Sequence, residues 1–149
     1  MSMFSAFDVN ASGMTAQRLR MDVISENVAN AQTTRTNDGT PYRRKVVTFS
    51  EKADTGIGSF SRVLGNVTSS YGIGQGVKVS NISEDYTTEM NMVYDPAHPD
   101  ADENGYVTYP NVNIVTEMTN LIDASRAYEA NATAFSASKS IALKGLEIR

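Results

Sequence analysis

The chain has 149 residues, a formal charge of -4 and no cysteine. That length holds one modest domain with extensions, since single cores fill roughly 100 to 150 residues. The acidic balance argues against a dedicated nucleic-acid binder, and the missing thiols exclude disulfide staples, thiolate metal sites and cysteine nucleophiles. No stretch approaches the roughly 20 apolar residues that span a bilayer, so no direct membrane insertion is expected. The N-terminus lacks the basic and apolar regions of a cleaved secretory signal.

In chain order, the first predicted element is a helix within residues 1–34. Ser5 and Asp8 are spaced as a capping box at its start. Phe7, Met14, Met21 and Val28 recur every seven residues, with Ala11, Ile24 and Ala31 between them and Gln17 breaking the stripe. Gly13 costs about 1 kcal/mol relative to alanine, so the isolated helix is weak and needs a partner. Thr33, Thr34, Asn37, Asp38, Gly39 and Pro41 supply the turn that ends it.

Residues 35–110 read as a β-rich and loop-rich middle. Tyr42 to Phe49 carries the run Val46, Val47, Thr48 and Phe49 and predicts a strand. Thr55 to Gly76 is rich in glycine and serine, which suggests turns. Val77, Val79 and Ile82 alternate with polar residues as a second strand does. Pro96, Pro99 and Pro110 predict an irregular segment before the last helix.

The last element, within residues 111–149, has the longest periodicity. Ile114, Leu121, Tyr128, Phe135 and Ala142 recur every seven residues, joined by Met118, Ala132 and Leu146. Asn111 or Asn113 can cap its start, and Lys144 and Arg149 complement its negative end. A helix from Val112 to Leu146 would be roughly 50 Å long, more than a domain of this size buries along its whole length. The other faces are small and sparsely charged, with Ala124, Ala127, Ala130, Ala134 and Ala137, which predicts cover from other subunits. The expected fold is mainly α, with the terminal helices paired as an antiparallel coiled coil and a small β region inserted between them.

Several motifs carry a possible chemistry. Asp100, Asp102, Asn104 and Gly105 reproduce the opening of a calcium loop, but the closing bidentate glutamate is replaced by Asn111 and prolines occupy the place of the entering helix. A calcium-dependent binding module using Asp100, Asp102 and Asn104 is therefore the alternative reading, against a solvated acidic turn. His98 is the single histidine. A hydrolase would have to use it between two prolines without an elbow motif, so no catalytic residue is assigned. Gly72, Gly74 and Gly76 fit turns better than a dinucleotide loop. Arg43, Arg44 and Lys45 lack a second basic cluster and suit a surface strand or a subunit interface. No cofactor is expected.

Ser25-Glu-Asn-Val-Ala-Asn-Ala31 resembles the shared motif of flagellar axial proteins. Val93-Tyr-Asp-Pro-Ala-His-Pro-Asp-Ala-Asp-Glu-Asn-Gly-Tyr-Val107, with Pro110-Asn-Val-Asn113 and Glu117-Met118, is similar to the bacterial flagellar basal-body rod proteins, most closely the proximal rod proteins designated C. Ala124-Ser-Arg-Ala-Tyr-Glu-Ala-Asn131 matches the C-terminal helix of that family. One departure stands at Thr87-Thr88-Glu89-Met90, where the family places a Ser-Pro pair after Glu84-Asp85.

The resemblance implies a non-enzymatic subunit of the periplasm-spanning rod, exported uncleaved through the flagellar type III apparatus. It implies as partners copies of itself, other proximal and distal rod proteins, and the MS-ring with its rod-base adaptor. It also implies terminal helices that order on assembly. The residues expected at assembly contacts are Phe7, Met14, Met21, Ile24, Ser25, Asn27, Val28 and Asn30 in the first helix. In the last they are Ile114, Met118, Leu121, Arg126, Tyr128, Glu129, Asn131 and Phe135, with Arg126 and Glu129 as interfacial polar pairs.

Overall fold

The structure, a computed structural model, describes residues 3–52 and 76–147. Six elements follow in chain order: α1 (Met3–Ala29), β1 (Lys45–Glu51), β2 (Val77–Glu84), β3 (Asn91–Tyr94), β4 (Tyr106–Tyr109) and α2 (Ile114–Glu147). The predicted turns at Thr55 to Gly76 lie, except for Gly76, outside the described residues.

α1 is already helical at Met3, so Ser5 lies inside the helix and does not cap its start. At the other end Asn30 closes the ladder: its Nδ2 donates to Glu26 O at 3.0 Å and its Oδ1 accepts from Thr33 Oγ1 at 3.1 Å. Glu26 O also accepts from the backbone N–H of Asn30 at 3.1 Å, so the side chain reinforces the last bond of the helix. Asn113 caps the start of α2, its Oδ1 accepting from the N–H groups of Val115 and Thr116 at 3.0 and 3.2 Å. Of the two candidate caps Asn113 does this work, because Asn111 is committed elsewhere.

The two helices pack against each other in opposite senses. Phe7, near the start of α1, meets Phe135 edge-on at 5.1 Å, Gly13 lies against the side chain of Asn131, and Asn27, near the end of α1, bonds Glu117 at 3.0 Å. Gly13 lets the helices approach, since a Cβ there would come within 2.8 Å of Asn131 Oδ1.

The stripe that α2 turns towards α1 is not the one its large apolar residues predict. Glu117 and Ala124 are buried and Leu121 and Phe135 half-buried, whereas Ile114, Met118 and Leu146 are exposed. The contact seam therefore runs through Glu117, Ala124 and Asn131, three residues after each member of the predicted heptad series, rather than four. Small and polar side chains form it, while α1 buries the larger Val23 and Ile24.

β1 and β2 form an antiparallel hairpin pairing Lys45 with Glu84 and Glu51 with Val77. Its register shifts between Thr48 and Phe49, leaving Ser80 as the extra residue, whose hydroxyl donates to Thr48 O at 3.0 Å. Such a bulge bends the strand and increases its twist. The hairpin lies on α1 through Gly76, where φ is +106° and a Cβ would lie 2.2 Å from Ser12 Oγ and 3.3 Å from Val9 Cα. Glycine is required there both for the positive φ and for the close approach.

The segment expected to be irregular contains a second antiparallel hairpin, β3 with β4, pairing Asn91 with Tyr109 and Tyr94 with Tyr106. Pro96 and Pro99 occupy its long turn and Pro110 follows β4, so none interrupts a ladder. Gly105, at φ +80°, closes the turn by donating its N–H to Asp102 O at 3.0 Å. Val107 points inward and is fully buried.

Candidate functional site

Where α1 ends, β1 begins and α2 starts, a polar cluster is buried. Asn27 and Glu117 are each 1% exposed, an unusual depth for an amide and a carboxylate. Every bond-forming atom of the Asn27 carboxamide is engaged. Its Oδ1 accepts from Tyr42 OH and Lys45 N at 2.9 Å each, and its Nδ2 donates to Lys45 O at 2.9 Å and Glu117 Oε2 at 3.0 Å.

The other oxygen of Glu117 accepts from Arg44, through Nε and Nη2, at 2.9 Å. The Arg44 guanidinium extends to Asp85 Oδ2 at 3.5 Å. Asn111 bridges the same region, accepting from Arg44 N at 2.9 Å and donating to Asp85 O and Thr88 O at 2.9 and 3.1 Å. Lys45 pairs with Glu26. Charge-assisted bonds of this kind are stronger than neutral ones, and a buried cluster is favourable only when its members are satisfied.

Two groups at this cluster have displaced proton affinities. Burial, reinforced by Glu26, Glu117 and Glu84, pushes the Tyr42 phenol up to about 12, which keeps it a donor to Asn27. Asp85 is held well below the usual carboxylate range, first by the hydroxyls of Thr87 and Thr88 and then by their backbone N–H groups. The threonine pair that departs from the expected Ser-Pro thus builds its own turn around Asp85.

The acidic turn uses its carboxylates within the chain. Asp100 Oδ2 accepts from Thr34 Oγ1 at 2.8 Å and its Oδ1 lies 3.7 Å from Arg35, while Asp102 Oδ1 accepts from the N–H groups of Asn104 and Tyr106 at 2.9 and 2.8 Å. Among the described residues no group of three or more acidic, histidine or cysteine side chains is arranged to hold a metal. His98 accepts on Nδ1 from Asp100 N at 3.1 Å and stacks edge-on against Tyr109, which gives it a place in the turn. Nothing here supports a calcium module.

The residues expected at assembly contacts divide into three groups. Asn27 is buried in this single chain, with its carboxamide bonded to Tyr42, Lys45 and Glu117. Phe7, Met14, Met21, Ile24, Val28, Asn30, Leu121, Asn131 and Phe135 are buried or half-buried in this single chain. Ser25, Ile114, Met118, Arg126, Tyr128 and Glu129 are exposed, and Arg126 and Glu129 form no ion pair among the described residues. Arg44, Asn111 and Glu117 were missed as a group. Arg44 was visible only as part of a basic run and Glu117 only as part of a motif, because their juxtaposition is tertiary.

Comparison with known proteins fits both ends of the chain. A family described as "Flagella basal body rod protein" matches residues 7–35, and one described as "Flagellar basal body rod FlgEFG protein C-terminal" matches residues 103–148. The protein named flagellar basal-body rod protein FlgC from Bacillus subtilis is 47% identical over 153 aligned positions, covering 99% of each chain. The proteins of the same name from Borreliella burgdorferi and Salmonella typhimurium are 46% and 38% identical, each covering 99% of this chain and 98% of its own. The chain belongs to the flagellar basal-body rod protein family. It is a structural subunit of the rod and not an enzyme. The rod-family match on residues 7–35 takes in most of α1 and its exit turn, Asn27 included, and the match on residues 103–148 takes in Asn111, Glu117 and the described length of α2. Among the described residues no helix is long and apolar enough to cross a membrane.

Proposed function

We propose that this rod subunit is built into the assembly through its helical pair, which packs as an antiparallel coiled coil over residues 1–34 and 111–149, with residues 35–110 on the outside. The observation carrying this reading is a second seam on α2. Val115, Met118 and Ile122 are 74%, 55% and 53% exposed and lie at helical spacing away from α1. Leu143 and Leu146 expose a further apolar stretch near the other end. An apolar stripe of this extent on a helix already paired on one side is the face of a contact with neighbours.

The neighbours are copies of the chain, other proximal and distal rod proteins, and the MS-ring with its rod-base adaptor. Through them the subunit passes torque from the membrane ring towards the distal rod and hook. The chain reaches this periplasm-spanning position through the flagellar type III apparatus without cleavage. The test replaces Met118 and Ile122 with glutamate. The free chain should keep its melting temperature, since both sites are exposed, while basal bodies stop before the distal rod and motility is lost. Normal swimming by that variant would sink the reading.

A further inference from the structure

We infer that the Arg44–Glu117–Asn27 network, in which Glu117 and Asn27 are buried and Arg44 half-buried, is a register lock, which fixes the axial position of α1 against α2. The network adds to what the seam itself provides. At its middle the helices meet through Gly13 against Asn131, with Ala16 and Ala124 buried nearby. A slip by one turn would bring a Cβ of α1 against Asn131 in place of Gly13 and part Phe7 from Phe135, so shape already disfavours sliding. Shape of this kind disfavours other heights without leaving a charge unpaired in them.

The polar network adds that penalty. Glu117 must meet the fork of Arg44 and the amide of Asn27 together, with oxygens at 2.9 and 3.0 Å, and Arg44 is itself fixed by Asn111 at 2.9 Å. A slip of even one turn, about 5 Å, separates every one of these pairs and leaves a buried carboxylate without a partner. Buried ion pairs often add little net stability compared with apolar replacements, and their best-attested use is to select one register. Arg44 acts here as a positioning residue through Glu117.

The functional consequence rests on the reading above. The outer seam at Val115, Met118 and Ile122 is useful to neighbours only if it stands at one height relative to α1 and the hairpin lying on it. The lock sets that height.

The experiment uses the full chain, whose lack of native cysteine allows paired spin labels at Asp8→Cys on α1 and Thr119→Cys on α2. These positions are offset along the pair, so sliding changes their separation. The parent should give one narrow distance by pulsed electron resonance. The Arg44→Met/Glu117→Leu double variant should keep or raise the melting temperature yet show a second population displaced by about 5 or 10 Å, one turn or one heptad. Retention of the single parent distance overturns the lock. Should that double variant fail to fold, Arg44→Lys keeps the charge but loses the fork, and an unbroadened distance there overturns it equally. Slipped registers accompanied by normal motility would leave the lock standing and overturn the assembly role of the outer seam instead.

Discussion

The carboxamide of Asn27 stands beside Lys45 where a neighbouring strand would otherwise be, accepting from its N–H and donating to its C=O at 2.9 Å each. One side chain of α1 thereby caps the exposed edge of β1, and the same group reaches Glu117 on α2. Removing it by Asn27→Ala strands at least two buried polar groups, each costing about 1 to 3 kcal/mol. A loss of about 3 kcal/mol or more should appear in urea unfolding. A change below about 1 kcal/mol would show that water or rearrangement replaces the amide without difficulty.

Arg44→Ala should be as harmful, since it leaves Glu117 buried without its cation. Breaking one partner of a buried pair costs about 3 to 5 kcal/mol. Replacement of both partners by apolar residues should be far milder, and equal damage from the single and double variants would contradict that comparison.

Gly76→Ala tests the seating of the β1–β2 hairpin on α1. The substitution forces a side chain into positive φ and into contact with Ser12 Oγ and Val9 Cα. Strained backbone of this kind costs about 1 to 3 kcal/mol, and thermal unfolding should show it. Gly39, whose φ is also positive but which has open space around it, serves as the control that isolates the contact from the backbone preference.

Stability should depend on pH at both extremes. Asp85 has a depressed folded affinity for its proton, so its contribution is present above the unfolded carboxylate value near pH 3.9 and is lost as pH falls below it. Asp85→Asn should flatten that acid limb of a melting-temperature profile. Tyr42 behaves in the other sense: its contribution is intact below about pH 10, where the unfolded phenol ionises, and fades as pH rises through about 12. Tyr42→Phe should remove this alkaline limb while losing the bond to Asn27.

Hydrogen exchange should be graded along the helical pair of the free chain. The fully buried residues of the two helices fall between Ala16 and Asn27 and between Glu117 and Ala124. Amides there should exchange slowest, and those from Ala130 to Glu147 fastest, with assembly closing the difference. Uniform protection of α2 in the free chain would count against ordering coupled to assembly.

Periodicity exposed the long elements, and turn chemistry located much of what lies between them. The seven-residue recurrences of Phe7, Met14 and Met21 and of Leu121 and Phe135 located both helices, and Val46 to Phe49 and Val77 to Ile82 located two strands, though not their pairing. The β3–β4 hairpin was hidden because its strands are four residues long and prolines crowd its turn, although Gly105 marks the place where the chain reverses. The side of α2 facing its partner was legible only in part, through Leu121 and Phe135. Hydrophobicity ranks Ile114 and Met118 above Ala124 and Asn131, whereas close helix approach selects the small residues. Asn27 was legible as part of a motif and illegible as a buried amide, since its partners come from positions 42, 45 and 117.

The pairing of Phe7 with Phe135 has a practical corollary for imaging. It gathers the early part of α1 and the later part of α2 at one pole, with Glu117 and Asn27 at the other. Reporters fused beyond either helix would therefore sit at the same end of the helical pair. The solvent-facing tip at Glu103 and Asn104, remote in sequence from both, is the better place to carry a fluorophore.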